Sequence, residues 1–131
     1  MAEPFNVLIV DDEDDFRETL VKRLHKRHLN VFGAESGLKA LELINKLIFD
    51  VVVLDVKMPG LDGLETLREI KKKNPLIEVI LLTGHASMES GVEGMDLGAF
   101  DYVMKPVNID DLLEMIRRAY ERKIVQEEYK K

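Results

Sequence analysis

The sequence predicts a doubly wound α/β domain, in which helices cover both faces of a five-stranded parallel sheet. Three observations predict this fold: short runs of β-branched and other apolar residues, segments with helical apolar spacing between these runs, and a regular alternation of the two along the chain. Parallel strands must be joined by crossover connections, and right-handed crossovers through helices place those helices on the two faces of the sheet.

Five segments are predicted to be strands. Three of them, 7–10, 51–54 and 79–82, are continuous apolar runs with no alternation between polar and apolar residues. Such runs are typical of strands that are buried on both faces, as in a parallel sheet covered by helices. The segments 30–34 and 101–104 are weaker and more mixed, so we expect them at the two edges of the sheet.

A segment with helical character follows each strand. In three of these segments apolar residues recur every three or four positions, as on the buried face of an amphipathic helix. These residues are Phe16, Leu20 and Leu24, then Leu64, Leu67 and Ile70, and finally Leu112, Ile116 and Tyr120. Ser36 and Asn108 are predicted N-caps of the second and fifth helices. Asn74 followed by Pro75 is predicted to end the third helix.

The fourth helix, predicted at about 87–97, contains Gly91 and Gly94. Each glycine in a helix interior costs about 1 kcal/mol relative to alanine, so we expect a helix that frays or shifts easily. Close packing of this helix on the sheet is an alternative reason for the glycines. The sequence leaves both interpretations open.

Composition limits the classes of function. The 131 residues have the usual length of one domain, with 46% hydrophobic and 34% charged residues. Nineteen Lys and Arg against 25 Asp and Glu give a net charge of −6, which disfavours direct binding to nucleic acid or to an anionic membrane surface. Cysteine is absent, and the apolar run 5–10 is neither a signal peptide nor a membrane span. We therefore expect a cytoplasmic protein.

Polar and charged residues follow the predicted strands at the points where the strands end. Asp11 and Asp12 follow the first strand and Asp55 follows the third. Thr83 follows the fourth strand and Lys105 follows the fifth. Because the carboxyl ends of parallel strands meet at one edge of the sheet, where ligands bind in such folds, we expect these five side chains to lie close together.

Three carboxylates in one place repel each other, so a positive charge is needed nearby. Lys105 supplies one such charge, and Mg²⁺ suits a site with one or two direct carboxylates, several waters and a phosphate oxygen. An ionised carboxylate beside Mg²⁺ is able to attack phosphorus and form an acyl phosphate. Lys105 and the Thr83 hydroxyl would then neutralise the phosphoryl oxygens.

Four segments resemble the receiver domains of bacterial-type two-component response regulators. They are Val10-Asp11-Asp12, the segment from Asp55 to Gly63, Leu82-Thr83-Gly84, and the segment from Gly98 to Pro106. The resemblance covers about residues 5–121, leaving 1–4 as an N-terminal tail and 122–131 as a C-terminal helical extension or tail. It implies a flavodoxin-like sheet with strand order 2-1-3-4-5 and five helices.

The resemblance also implies a role for each position in the site. Asp55 would be the phosphoacceptor, and Asp12 would bind Mg²⁺ directly. Asp11 would bind the ion directly or through water, and the backbone carbonyl of Lys57 would be a further ligand. The peptide bond between Lys105 and Pro106 would be cis, which would aim the lysine.

Four residues are implied to switch or tune the protein. Thr83 and Tyr102 would be the switch pair, the hydroxyl moving toward the phosphoryl group and the ring turning inward behind it. Lys57 and His85 would flank the path of the hydrolytic water, so we hypothesise that they tune the lifetime of the phosphorylated state.

A histidine kinase or phosphotransfer protein is the implied partner, with output through the face formed by the fourth helix, fifth strand and fifth helix. Alternatives are an aspartate-nucleophile phosphohydrolase of the haloacid-dehalogenase type, a flavodoxin-like cofactor binder, and a receiver that is never phosphorylated. The phosphohydrolase would need an aspartate where Lys57 stands. The cofactor binder would need a loop rich in glycine and hydroxyls after the first strand, and the acidic segment 11–15 would repel a phosphate there unless a metal intervened.

Overall fold

The computed structural model of the protein describes residues 4–84 and 88–129. Strands and helices alternate along the chain, as predicted. The elements are β1 (Asn6–Val10), α1 (Asp14–His25), β2 (Asn30–Ala34), α2 (Gly37–Lys46), β3 (Val51–Asp55), α3 (Gly63–Lys73), β4 (Glu78–Thr83), α4 (Met88–Asp96), β5 (Asp101–Met104) and α5 (Ile109–Tyr129).

The five strands form one parallel sheet in the order β2-β1-β3-β4-β5. This order confirms the predicted flavodoxin-like fold. The two mixed segments are the edge strands β2 and β5, and the three apolar runs lie at the centre, where both faces are covered. In this fold the sheet order reverses between β1 and β3, and a ligand crevice is expected at their carboxyl ends.

Each face of the sheet carries its own hydrophobic core. Leu8 and Val10 of β1 belong to the core that packs against α2 and α3. Val7 and Ile9 belong to the opposite core, which packs against α1 and α5. Successive side chains of a strand point to opposite faces, so an unbroken apolar run is what a strand covered on both faces needs.

Side-chain caps begin three of the helices. The Ser36 hydroxyl accepts a hydrogen bond of 3.1 Å from the backbone of Lys39. Asn108 Oδ1 accepts bonds of 3.0 and 3.1 Å from the two backbone amides at 110 and 111. Both predicted N-caps are therefore confirmed. Asp62 Oδ1 accepts from the Glu65 amide at 2.9 Å and begins α3 in the same way.

Gly94 explains part of the glycine content of α4. A Cβ built at Gly94 would lie 2.1 Å from Leu81 Cδ1, so the absent side chain lets α4 lie close against β4. Close packing is thus supported at this position. The observed helix begins at Met88, and residues 85–87 lie outside the described residues. The expected mobility of α4 stays a prediction.

The carboxyl-terminal part of α5 is attached to the amino edge of the sheet. Lys123 Nζ lies 2.8 Å from Asp50 Oδ1, ahead of β3, and the Lys123 side chain is buried. Arg122 Nε lies 2.9 Å from the buried carboxylate of Glu78, at the start of β4. Within residues 4–84 and 88–129, no helix, α5 included, has the length and apolarity that a membrane span requires.

Gly63 allows α3 to begin directly behind the end of β3. A Cβ at this position would lie 2.2 Å from the carbonyl oxygen of Asp55 and 2.6 Å from Val56 Cα. Both atoms belong to the backbone, so they cannot be moved without displacing the strand end. The close approach of α3 to the Asp55 peptide therefore depends on the absence of a side chain.

We expect Gly63→Ala to lower the free energy of unfolding by about 1–3 kcal/mol, because the added methyl overlaps backbone atoms. Urea denaturation measures the free energy of unfolding of the variant and of the unaltered protein. Gly84→Ala is the matched control, since a Cβ there meets no atom of the described residues within 4 Å, and its effect should stay within about 0.5 kcal/mol. Equal stability of the two variants would contradict the proposed tight approach.

Candidate metal centre

The carboxyl edge of the sheet brings together the residues that the sequence singled out. Asp11 and Asp12 follow β1, and Asp55 is the last residue of β3. Thr83 is the last residue of β4, and Lys105 follows β5. The parallel register pairs Val10 with Leu54 and Asp55 with Leu82, so these strand ends finish side by side.

Three carboxylates form a group suited to a cation. One ligand oxygen from each of Asp11, Asp12 and Asp55 lies within 4.8 Å of the others. Asp11 is fully buried and Asp55 is 6% exposed, whereas Asp12 is open to solvent. A site with two buried carboxylates and one facing water fits Mg²⁺, which binds few protein oxygens and keeps several waters.

Lys105 provides positive charge beside this group. Its Nζ donates a 2.9 Å hydrogen bond to Asp11 Oδ2 and lies 3.7 Å from Asp55 Oδ2. The backbone amide of Lys105 donates to the Thr83 carbonyl at 2.9 Å, which fixes the segment to the end of β4. The following peptide bond to Pro106 is cis, as the resemblance implied.

The surroundings of Asp55 favour its protonated form. Burial is the largest cause, and the neighbouring charge of Asp11 adds to it, so that the pKa of Asp55 rises to about 6. Lys105 and a 3.3 Å hydrogen bond from the Lys57 amide act in the opposite direction without cancelling the effect. A further positive charge at this position would stabilise the ionised carboxylate.

Lys105 stays charged in this position. Burial by itself would lower the pKa of its ammonium group, and it is the largest single influence. Contacts with Asp11, Asp55 and Glu13 act against it, and their sum raises the pKa above the ordinary value. The ammonium group is therefore a permanent cation at the site at neutral pH.

The structure describes three of the four remaining predicted residues. Thr83 is 2% exposed. Tyr102 is half-buried on β5 and packs against the core that faces α2 and α3. Lys57 is exposed and contacts Asp55 through its backbone amide. His85 lies outside the described residues.

One residue of the site was not identified from the sequence. Glu13 entered the sequence analysis only as part of the acidic segment 11–15, but its Oε1 lies 3.2 Å from Lys105 Nζ. The two residues are 92 positions apart, and no local pattern links them. The acidic segment after β1 was the only available signal, and it did not single out Glu13.

Fold and site together define a class of protein, a flavodoxin-like domain with a group of carboxylates suited to a cation and a lysine at the carboxyl edge of its sheet. Comparisons with known proteins agree with this description. Residues 7–117 match the family model described as the response regulator receiver domain. The chain belongs to this family.

Related sequences include transcriptional regulatory protein ZraR of Escherichia coli K12, which is 40% identical over 114 residues. The DNA-binding transcriptional regulator NtrC of the same strain is 36% identical over 113 residues. The alignments cover 87% and 86% of this chain but 26% and 24% of those proteins. The chain thus spans about a quarter of the length of these curated relatives.

Solved structures show the same fold. A response regulator receiver domain protein from Clostridium thermocellum is similar with a TM-score of 0.90 and 36% identity, over 93% of this chain and 98% of that one. NtrX from Brucella abortus, in complex with ADP, gives a TM-score of 0.92 and 33% identity over 97% of this chain and 29% of that one. The flavodoxin-like receiver fold is therefore shown by sequence and by structure.

We expect Asp55→Asn to stabilise the protein in the absence of divalent cations. The folded state holds the Asp55 proton more tightly than the unfolded state, because burial raises the pKa from 3.8 to about 6. Stability is therefore lost as pH rises through this window, and the penalty is complete above it. The variant should gain about 1–3 kcal/mol in unfolding free energy at pH 7.

The measurement is urea denaturation in EDTA at pH 7 and at pH 4, where the gain should largely disappear. Asp15→Asn is the control, since Asp15 is exposed on the first turn of α1. An Asp55→Asn protein no more stable than this control at pH 7 would contradict the electrostatic description.

Proposed function

We propose that Asp55 accepts a phosphoryl group in a Mg²⁺-dependent reaction and that the modified protein signals through a change of conformation. A histidine kinase or a phosphotransfer protein is the proposed donor. The observation that carries the proposal is the arrangement around Asp55, a buried carboxylate with two further carboxylates within 4.8 Å and the ammonium of Lys105 at 3.7 Å. Membership of the receiver family supports it.

Asp12, Asp55 and Asp11, the last directly or through water, would hold Mg²⁺ together with the backbone carbonyl of Lys57. The bound ion would neutralise the carboxylates and a phosphoryl oxygen. The donor set fits this ion, because all of its ligands are hard oxygen atoms and the exposure of Asp12 leaves room for water.

The protein's own groups then carry the transfer. An ionised oxygen of Asp55 attacks phosphorus, the bond from phosphorus to the donor's imidazole nitrogen breaks, and the nitrogen keeps the electron pair. Lys105 would pair with one phosphoryl oxygen, and the Thr83 hydroxyl would donate to another. Such transfer depends mainly on in-line positioning and on neutralisation of the oxygens.

Thr83 and Tyr102 are the proposed switch. Movement of the Thr83 hydroxyl toward the phosphoryl group would leave space behind β4, and the Tyr102 ring would turn inward to fill it. Tyr102 is half-buried and lies on the edge strand β5. Its ring would therefore be able to turn while the fully buried side chains of the central strands stay in place. The change would reach the face formed by α4, β5 and α5.

The phosphohydrolase alternative is not supported. Lys57 occupies the position at which that class needs an acidic group, and its side chain is exposed. The chain instead matches the receiver family over residues 7–117. The mass measurement with acetyl phosphate distinguishes the proposed function from that of a receiver that is never phosphorylated.

We propose residues 5–121 as the receiver unit, with 1–4 as an N-terminal tail and 122–131 as a C-terminal helical extension or tail. The face formed by α4, β5 and α5 is the proposed contact surface for an output domain or target protein, and Val92, Met95 and Met104 are exposed there. ZraR and NtrC are transcriptional regulators by name, and any such output is a proposal for this protein. A cytoplasmic location, with no direct nucleic acid binding by this unit, completes the proposal.

Incubation with acetyl phosphate and Mg²⁺ should add the mass of one phosphoryl group to the intact protein. Asp55→Asn should remain unmodified, and EDTA should prevent modification of the unaltered protein. Asp15 is an exposed acidic residue in the same region, and the Asp15→Asn variant should gain the mass of one phosphoryl group as the unaltered protein does. The proposal fails if the unaltered protein gains no mass or if Asp55→Asn gains as much.

Lys57→Ala and His85→Ala should change the rate at which the acyl phosphate is hydrolysed, because both side chains are proposed to flank the path of the water. The decay of the phosphorylated form after removal of acetyl phosphate measures this rate. Phosphorylation itself should persist in both variants. Unchanged decay in both variants would end the tuning hypothesis.

A further inference from the structure

Glu13 occupies the N-cap position of α1 but does not cap the helix. Its backbone is extended, with φ −82° and ψ 106°, as an N-cap requires, yet its side chain accepts no hydrogen bond from the first turn. Glu13 follows β1 in the chain, but its carboxylate contacts the residue that follows β5, with Oε1 3.2 Å from Lys105 Nζ. The helix therefore forgoes a stabilising local bond, and a long-range contact takes its place.

Lys105 is shared among several groups. Its Nζ lies 2.9 Å from Asp11, 3.2 Å from Glu13 and 3.7 Å from Asp55. The Phe16 ring lies beneath the ammonium group, at 4.5 Å from Nζ to the ring centroid. The lysine is thus drawn toward β1 and α1, and Asp55 is the most distant of its three acidic partners.

The two nearer carboxylates differ in what else they are able to do. Asp11 belongs to the group of carboxylates that fits a cation, and Glu13 does not. A divalent ion would compete with Lys105 for Asp11, whereas Glu13 would remain free to hold the lysine. Glu13 is therefore the partner that would still restrain Lys105 when the metal is bound.

We propose that Glu13 is a positioning residue that holds Lys105 back from the phosphoryl group and so weakens binding of that group at Asp55. The inference rests on the proposed function of Asp55. Lys105 must exchange its contact with Glu13 for one with a phosphoryl oxygen, and the free energy of the broken contact opposes that exchange.

The exposure of Glu13 limits the size of the effect. Its side chain is 67% exposed and that of Lys105 is 20% exposed, so solvent screens the pair. Ion pairs of this kind shift an equilibrium by about two- to fivefold. Removing the Glu13 charge should therefore strengthen phosphoryl binding by about two- to fivefold and should leave the fold intact.

The test is a titration with beryllofluoride, a phosphoryl mimic, at saturating Mg²⁺, followed through backbone amide chemical shifts in NMR spectra. Glu13→Gln should bind the mimic about two- to fivefold more tightly than the unaltered protein. Damage to the structure would weaken binding, so tighter binding separates a positioning role from a structural one.

Asp15→Asn is the matched control for charge. It removes one negative charge from the same helix turn, and among the described residues no hydrogen bond or ion pair joins Asp15 to Lys105. Its affinity should stay near that of the unaltered protein. Glu13→Gln binding no more tightly than Asp15→Asn would overturn the inference.

Glu13→Asp separates contact from charge, because it retains the carboxylate on a side chain shorter by one methylene. Aspartate is a preferred N-cap residue, so α1 should remain stable. We expect tighter binding here too, and an affinity equal to that of the unaltered protein would overturn the claim that contact matters.

The controls also separate the two proposals. If the unaltered protein binds no beryllofluoride with Mg²⁺, the proposed function and this inference both fail. If it binds the mimic and Glu13→Gln gains nothing over Asp15→Asn, only the role of Glu13 is lost.

Discussion

The candidate site depends on an imbalance of charge at one edge of the sheet. Three carboxylates with oxygens within 4.8 Å of each other are met by the ammonium of Lys105, and burial makes the ionised form of Asp55 costly. The protein itself supplies less positive than negative charge here, and the register of β1 with β3 keeps Asp11 and Asp55 at neighbouring strand ends. A cation or a proton would complete the site, and that requirement would link the proposed metal binding and nucleophilic role of Asp55 to the stability of the fold.

The scaffold holds this imbalance in place through backbone geometry. The register of the parallel strands sets the ends of β1, β3 and β4 beside one another, and a shift by one residue would turn Asp55 to the other face. Gly63 then brings α3 against the Asp55 peptide, and the Lys105 amide is bound to the Thr83 carbonyl. Rigid strand ends would suit the proposed role of Asp55, in which its carboxylate meets an incoming phosphorus in line.

Most of the fold could be predicted because it follows from local patterns. Unbroken apolar runs mark central strands whichever helix covers them, and Ser36 and Asn108 cap helices through contacts within three residues. Helix α4 was harder, because a glycine has the same local cost whether it serves mobility or packing. Only the position of Leu81 on β4 reveals why a side chain at Gly94 would not fit.

By itself, the sequence determined the parallel α/β architecture and the group of polar residues at its carboxyl edge, because strand ends in such a sheet must converge. The tertiary structure decided how Lys105 is divided between Asp11, Glu13 and Asp55, and how far burial raises the pKa of Asp55. It also decided that Lys123 is buried against Asp50, 73 residues away. Contacts of this kind depend on distances of a few ångströms between distant parts of the chain, which no local pattern encodes.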